Sequence, residues 1–203
     1  MGSAAAEQQR DTLYELISRR RSHRQFGSAA VSADALKRIL VCAQGLNNAD
    51  GGRGAPSAHA LHPLGLTVIG RRVQDMAPGT YSFDAQTHEL HRTGNVPPQG
   101  GLLAVSLAED TWLETAPVLI VITADYASAL AHFADQQADG RRGARYIDVE
   151  AGAVAQSLYL AAMVEELGGV LVMGVDDTAL SELITVPAGH SPVALFCLGS
   201  CER

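Results

Sequence analysis

The sequence predicts an α+β fold, a mostly antiparallel central sheet covered by helices, with one long buried central helix. Three observations predict it. "APVLIVITAD" is a continuous apolar run of strand length, and such a run needs cover on both faces. "YIDVEAGAVAQSLYLAAMVEEL", from Tyr146 to Leu167, is apolar or small nearly all round, which suits a helix deep in the core or packed on another subunit. Strand and helix patterns are mixed along the chain without strict βαβ alternation.

The elements follow in order. "DTLYELISRR" reads as a helix, with Thr12 and Glu15 as a capping box and Leu13, Leu16 and Ile17 on one face. "VSADALKRILVCAQG" reads as a second helix. Ser32 is its N-cap, Leu36, Ile39, Leu40 and Ala43 form its stripe, and Gly45 stops it. "NNADGGRGAPSAHALHP" is a loop of glycine, asparagine and small residues, and loops of that length in compact domains are functional or disordered. "LGLTVIG" reads as a strand and "GTYSFDAQTHELHRT" as a β-hairpin, with Tyr81 and Phe83 alternating with polar neighbours. "GLLAVSLAED" is a short helix candidate and "DQQADGRRGAR" a charged loop. The long helix is expected to stop at Gly168 and Gly169. "VLVMGV" is a strand, "DDTALSELI" an aspartate-capped helix and "VALFCLG" a closing strand.

Length and composition bound the function. The 203 residues fit a flexible N-terminus over residues 1–10 and a single domain over 11–203. A net charge of -7 argues against a general nucleic-acid binder, which would be basic over a broad surface. Lys37 is the only lysine, so positive charge is nearly all arginine, the side chain best suited to forked contacts with phosphate and carboxylate. Cys42, Cys197 and Cys201 form no disulfide framework and no C-x-x-C pair, as in a reduced cytoplasmic protein. "MGSAAAEQQR" has no apolar signal segment, and no apolar run approaches the roughly 20 residues of a bilayer span.

Four stretches are candidates for chemistry. In "RRRSHRQF", Arg20, Arg21, Ser22 and Arg24 stand at a helix end and the following turn. Guanidinium forks plus a hydroxyl can cradle a dianionic phosphate, while the plainer reading is an exposed helix C-terminus whose arginines complement the dipole. The loop "GGRGAPSAHALHP" contains Gly52-Arg53-Gly54 but neither G-x-G-x-x-G nor a P-loop, leaving a backbone able to approach a flat ligand closely. In "GGVLVMGVDD" a strand end at Gly174 can aim backbone N–H groups at a ligand, or simply punctuate strand and helix. His59 and His62 are three apart, as are His88 and His91. In a strand that spacing puts the rings on opposite faces, so no metal site is expected. Ser57 is not in a nucleophile elbow.

Together these blocks resemble the nitroreductase superfamily of FMN enzymes. "RRSHR" at Arg20–Arg24 is similar to that family's phosphate-binding signature, and "APSAHALHPLGLTVI" to the loop and strand under the flavin ring. "EAGAVAQSLYLAAMVEELGGVLVMGVDD" is similar to its central helix and the strand end that meets flavin N5, and "PVALFCLG" to its closing strand. The blocks run in the right order from about Leu13 to Gly199. The "ALHPL" form, the hairpin and "RYIDVEAGAVAQSLYLAA" look most like the SagB-type dehydrogenase branch, which includes azoline oxidases.

The resemblance implies that Arg20, Arg21, Ser22 and Arg24 hold the phosphate and ribityl end of FMN. It implies that Pro56, Ser57 and Ala58 line the ring from the other subunit of a homodimer, and that Met173 and Gly174 offer N–H groups near N5. Ala60 stands where many nitroreductases have a ring-contacting asparagine. Ala138 and Asp139 stand where azoline oxidases carry a Lys-Tyr pair. The implied activity is two-electron transfer between flavin N5 and a small organic substrate, with NAD(P)H as donor. The alternatives are a SagB-type dehydrogenase that returns electrons to oxygen, and a flavin-binding scaffold subunit without turnover. No side-chain acid or base is required for hydride transfer, and His59 and His62 are the nearest candidates for proton handling.

Overall fold

The structure, a computed structural model, describes residues 12–47 and 51–201. Residues 12–19 are helical (α1). There follow α2 (Ala33–Gln44), β1 (Leu64–Gly70), β2 (Gly79–Phe83), β3 (Leu90–Gly94) and α3 (Gly101–Ala104). The rest of the chain forms β4 (Val118–Ala124), α4 (Tyr126–His132), α5 (Arg142–Val164), β5 (Gly168–Val172), α6 (Asp177–Leu183) and β6 (Ser191–Gly199). The strands make one six-stranded sheet in the order β3-β2-β1-β4-β6-β5. Every neighbouring pair is antiparallel.

The continuous apolar run of β4 is fully buried, and its alternate residues serve opposite cores. Val118, Ile120, Ile122 and Ala124 join Leu66, Val68, Ala194 and Phe196 beneath α2 and α5. Leu119 and Val121 join Ile69, Leu195 and Cys197 on the other face, with Leu102 of α3 and Leu180 of α6. The sheet is therefore sandwiched between helical layers, as a strand with no polar face requires.

The α5 helix spans the first core and contacts α2, α4, β1, β5 and β6. Its buried stripe is Ile147, Glu150, Ala151, Val154, Ala155, Leu158, Tyr159 and Ala162. The opposite side keeps Val149 at 67% and Val164 at 65% exposure, so two large apolar side chains face outward. Length and composition alone would let α5 cross a bilayer, but its buried stripe ties it to the sheet.

Several boundaries differ from the sequence expectation. Helix α5 starts at Arg142, so the last residues of "DQQADGRRGAR" are helical rather than loop. It ends at Val164, not at the glycine pair. Glu166 takes the left-handed conformation (φ 57°), and the N–H of Leu167 donates to the Ala162 carbonyl while that of Glu166 donates to Met163. That is a Schellman closure with glutamate in the position glycine usually holds. Gly168 and Gly169 instead open β5, because a Cβ there has no room. At Gly168 it would lie 2.3 Å from Cys201 Sγ, and at Gly169 2.5 Å from the Phe196 ring. Strand β5 ends at Val172, so Met173 and Gly174 lie past it. The α4 helix, capped by Asp125 through Ser128 N–H (2.9 Å), has no counterpart in the sequence reading. The flexible segment expected over residues 1–10 lies outside the described residues, as do Asn48, Ala49 and Asp50 of the glycine-rich loop.

Two substitutions separate these roles. Gly169→Ala is expected to lower stability by about 1–3 kcal/mol through overpacking against Phe196. Glu166→Gly should raise it by about 0.5–1 kcal/mol by relieving the left-handed residue. Thermal unfolding of the two variants beside the parent protein checks both signs.

Candidate functional site

The segment after α1 runs along the free edge of β5. Ser22 bridges Gly169 in parallel, the N–H of His23 donates to the Gly169 carbonyl (2.9 Å), and Phe26 bridges Cys201. Tyr159 of α5 anchors this junction. Its hydroxyl accepts from the N–H of Leu171 (2.9 Å) and shares a hydrogen bond with Ser22 Oγ (3.1 Å). The Arg20 guanidinium lies over its ring, 4.9 Å from the centroid. A cation on an aromatic face is favourable and leaves the guanidinium N–H groups free for other acceptors.

The arginines do not converge on one point within the chain. Arg20 rests on Tyr159, which belongs to the α5 face of the sheet. Arg24 lies 5.9 Å from the ring of Trp112, which packs on the opposite core. Arg21 donates to the carbonyls of Ser18 and Arg20. What unites the three is their charge state. Among the described residues the ion pairs are Arg19–Glu15, Lys37–Glu89, Arg38–Glu165 and Arg71–Glu114, so Arg20, Arg21 and Arg24 have no carboxylate.

Four residues of strand, about 13 Å at 3.3 Å each, separate Gly169 from Met173. There the chain turns away from β6. The Gly174 carbonyl accepts from Leu107 N–H, while the N–H groups of Met173 and Gly174 reach no acceptor among the described residues. Open space surrounds Gly174, and Met173 is 58% exposed.

The loop carrying Pro56, Ser57, Ala58 and Ala60 sits elsewhere. It packs on the N-terminal half of α5 and borders a cavity of about 300 Å3 with Tyr146, Val149, Glu150 and Ala153. From Glu150 to Tyr159 is nine residues, about 13 Å along the helix axis. One chain therefore does not bring Pro56–Ala60 to Arg20–Arg24. The loop is strongly constrained. The buried Glu150 carboxylate accepts from Ala58 N–H (2.7 Å), and Ser57 Oγ accepts from His62 N–H (2.8 Å). His59, Ala60 and His62 all have left-handed backbone (φ 54°, 53° and 50°). Residues 58–60 form a 3-10 turn, so the strand rule for the His59–His62 spacing does not apply there. Three such residues within four positions store strain that the tethers must hold.

The two candidate proton carriers are both engaged. His59 Nδ1 lies 3.1 Å from His132 Nε2, and its ring packs on Phe133. His62 hydrogen-bonds the Gly51 backbone, and burial, aided by the nearby Arg53 charge, holds its pKa below the ordinary histidine value. His190 is likewise held low by burial, with Nδ1 3.1 Å from Thr123 Oγ1. Among the described residues no three His, Cys, Asp or Glu side chains gather as a metal site would need.

Tyr159 and Glu150 were not singled out from sequence. Glu150 carried a signal, because it falls three residues after Ile147 and four before Val154, on the stripe that the helical period buries. An acid there needs a partner. Tyr159 is the one hydroxyl on that stripe. Its partners lie 137 and 12 residues away in sequence, which periodicity does not report.

Comparison with known proteins gives a consistent result. The model of the Nitroreductase family matches residues 17–200. A nitroreductase-like protein of Methanocaldococcus jannaschii is 30% identical over 187 residues, 92% of this chain and 90% of that one. A nitroreductase-like protein of Anabaena variabilis superposes with a TM-score of 0.75 at 24% identity over 92% of this chain, which spans 37% of that protein's length. A chain of the E. coli microcin synthetase McbBCD complex, solved with truncated pro-MccB17 bound, gives 0.72 at 18% identity over 90% of this chain and 71% of that one.

Two outcomes follow from the geometry. Tyr159→Phe is expected to cost about 1 kcal/mol and to speed hydrogen exchange at the Leu171 amide, which loses its acceptor. The depressed pKa values of His62 and His190 make the unfolded chain bind more protons below about pH 6.5. Stability should therefore fall as pH drops through that value. His190→Gln should flatten that slope in thermal melts.

Proposed function

Because the chain belongs to the nitroreductase family, whose model covers residues 17–200, we propose that it is an FMN-dependent oxidoreductase acting on a small organic substrate with NAD(P)H as donor. Family membership marks an oxidoreductase. One observation carries it. Among the described residues, three arginines without carboxylate partners and the Ser22 hydroxyl stand at the start of β5, and two N–H groups without acceptors stand about 13 Å away past its end.

That donor set fits FMN. Arg20 and Ser22, braced by Tyr159, would take the phosphate, with Arg21 and Arg24 adding charge. Because Tyr159 oxygen already accepts from Leu171, its proton is free for Ser22, which frees the serine proton for a phosphate oxygen. Met173 and Gly174 N–H would hydrogen-bond the ring edge near N5. Their cost of orientation is already met by the fold. Bound FMN supplies two-electron transfer at N5, and the chain supplies position and electrostatics. Ala60 offers no side-chain hydrogen bond to the ring.

The reading requires two copies. Pro56, Ser57 and Ala58 lie about 13 Å along α5 from the arginine end, so those lining a given flavin would come from the partner subunit. The exposed apolar side of α5, with Val149 and Val164, would form the homodimer interface. Burying that side removes the apolar surface that a monomer leaves in water. A single domain over residues 11–203 and a reducing, cytoplasmic setting complete the proposal, in keeping with three free thiols.

The test is an anaerobic visible spectrum of protein saturated with FMN, before and after NADPH or NADH, with light scattering for mass. Bleaching of a dimer-bound flavin is the expected result. Ser22→Ala and Arg20→Ala should each weaken FMN affinity about tenfold. Bound flavin that neither nucleotide bleaches would favour the dehydrogenase or scaffold alternatives, and failure to bind FMN would overturn the reading.

A further inference from the structure

The fragment Gly52-Arg53-Gly54 has no part in the proposed flavin site, yet the fold places it with care. A Cβ on Gly54 would lie 1.7 Å from the Cys42 carbonyl oxygen, so only glycine lets this loop lie on the end of α2. Arg53 then bridges Leu46, and its Nη1 donates to the buried Gln44 amide oxygen at 3.0 Å. That bond uses one of five guanidinium donors, and a neutral amide does not offset the charge. Among the described residues no carboxylate comes within ion-pair distance of Arg53. Asp84, the acid it senses, is committed to the hairpin turn through the N–H groups of Gln86 and Thr87.

The guanidinium borders a cavity of about 280 Å3 at the end of the sheet, with His62, His190, Leu64, Phe83 and Pro187. This volume falls just short of the roughly 300 Å3 at which drug-sized ligand cavities begin, which suits a small molecule. His190 is fixed in its wall. The ring bonds Thr123 Oγ1 and packs on Gly65, where a Cβ would approach it to 3.3 Å. The acids near the two histidines are engaged elsewhere. Glu150 holds Ala58 N–H, and Asp125 caps α4 through Ser128 N–H. The cavity thus combines one fixed, half-buried cation, two imidazoles and an apolar wall.

We propose that this cavity binds a small organic carboxylate, with its carboxylate on Arg53 and its apolar body against Leu64, Phe83 and Pro187. The planar fork of arginine matches a carboxylate with two parallel hydrogen bonds. His190, whose Nδ1 accepts from Thr123 Oγ1, can turn an Nε2–H donor to the ligand, and the His62 ring, bonded to the Gly51 backbone, lines the wall beside it. Occupancy has a structural reach. His62 N–H is bonded to Ser57 Oγ, so a ligand that holds His62 also steadies the loop bearing Pro56–Ala58. The proposal does not depend on FMN binding.

The probe is benzoate, titrated calorimetrically into the full-length protein with excess FMN present. Benzamide serves as neutral control and inorganic phosphate as a second anion. Benzoate is expected to bind at least about tenfold more tightly than benzamide and to shift the imidazole NMR signals of His62 and His190. Arg53→Gln should weaken benzoate at least about tenfold while leaving the FMN spectrum unchanged. Equal binding of benzoate and benzamide, preference for phosphate, or undiminished binding to Arg53→Gln would overturn the proposal. So would a flavin absorbance change that saturates in step with benzoate, which would mean binding at the ring. Should Arg53→Gln fail to fold, the histidine signals of the unaltered protein decide. No shift with benzoate rejects the site.

Discussion

The contact between Ser22–His23 and Gly168–Gly169 organises much of what surrounds it. Strand β5 is the last in the sheet and pairs only with β6, so its outer edge would present bare N–H and C=O groups. The segment after α1 covers that edge through His23 N–H, and the Tyr159 hydroxyl takes Leu171 N–H. Both depend on glycines at positions 168 and 169, where any side chain would collide with Cys201, His23 or Phe196. The same closure gives the arginines their direction. Arg20 and Arg24 stand on either side of the Ser22 bridge, and each finds an aromatic ring on a different side of the sheet. Closing a sheet edge and presenting positive charge are thus one structural act.

A second organising element is α5, whose two ends carry different halves of the candidate site. Near its start the buried Glu150 fixes Ala58 and so holds a loop in which His59, Ala60 and His62 all occupy an unfavourable backbone region. Near its end Tyr159 fixes Ser22 and Leu171. Both polar side chains stand on an otherwise apolar stripe, and each is satisfied by backbone or hydroxyl partners. Buried polar groups of this kind lock one arrangement, since any other would leave them without partners.

Much of the fold was legible in the sequence. The unbroken run in β4 implied two covered faces, the alternation of Tyr81 and Phe83 implied the hairpin, and Ser32 and Asp176 announced their helices. The end of α5 was misread because a glycine pair after a helix looks like a stop. Local chemistry cannot distinguish a glycine required by its own φ from one required by a neighbour's side chain. Helix α4 is only seven residues long with one fully buried side chain, too little periodicity to read. Of the candidate site, the arginine and loop stretches were visible as composition. Tyr159, Glu150, Trp112 and the Arg53 cavity were not, because their meaning lies in contacts across the sheet.

The junction at Ser22 also has a temporal side. Ser22 and Gly169 are 147 positions apart in sequence, and Phe26 meets Cys201 near the end of the described chain. A newly made chain exposes its arginine segment long before β5 and β6 exist to receive it. The covering of that sheet edge must therefore wait for both strands, and it carries the loop-closure entropy of the residues between Ser22 and Gly169. Until β5 and β6 have paired, the segment that bears the charge has no edge to lie on, so the closing of the sheet and the placing of the arginines coincide.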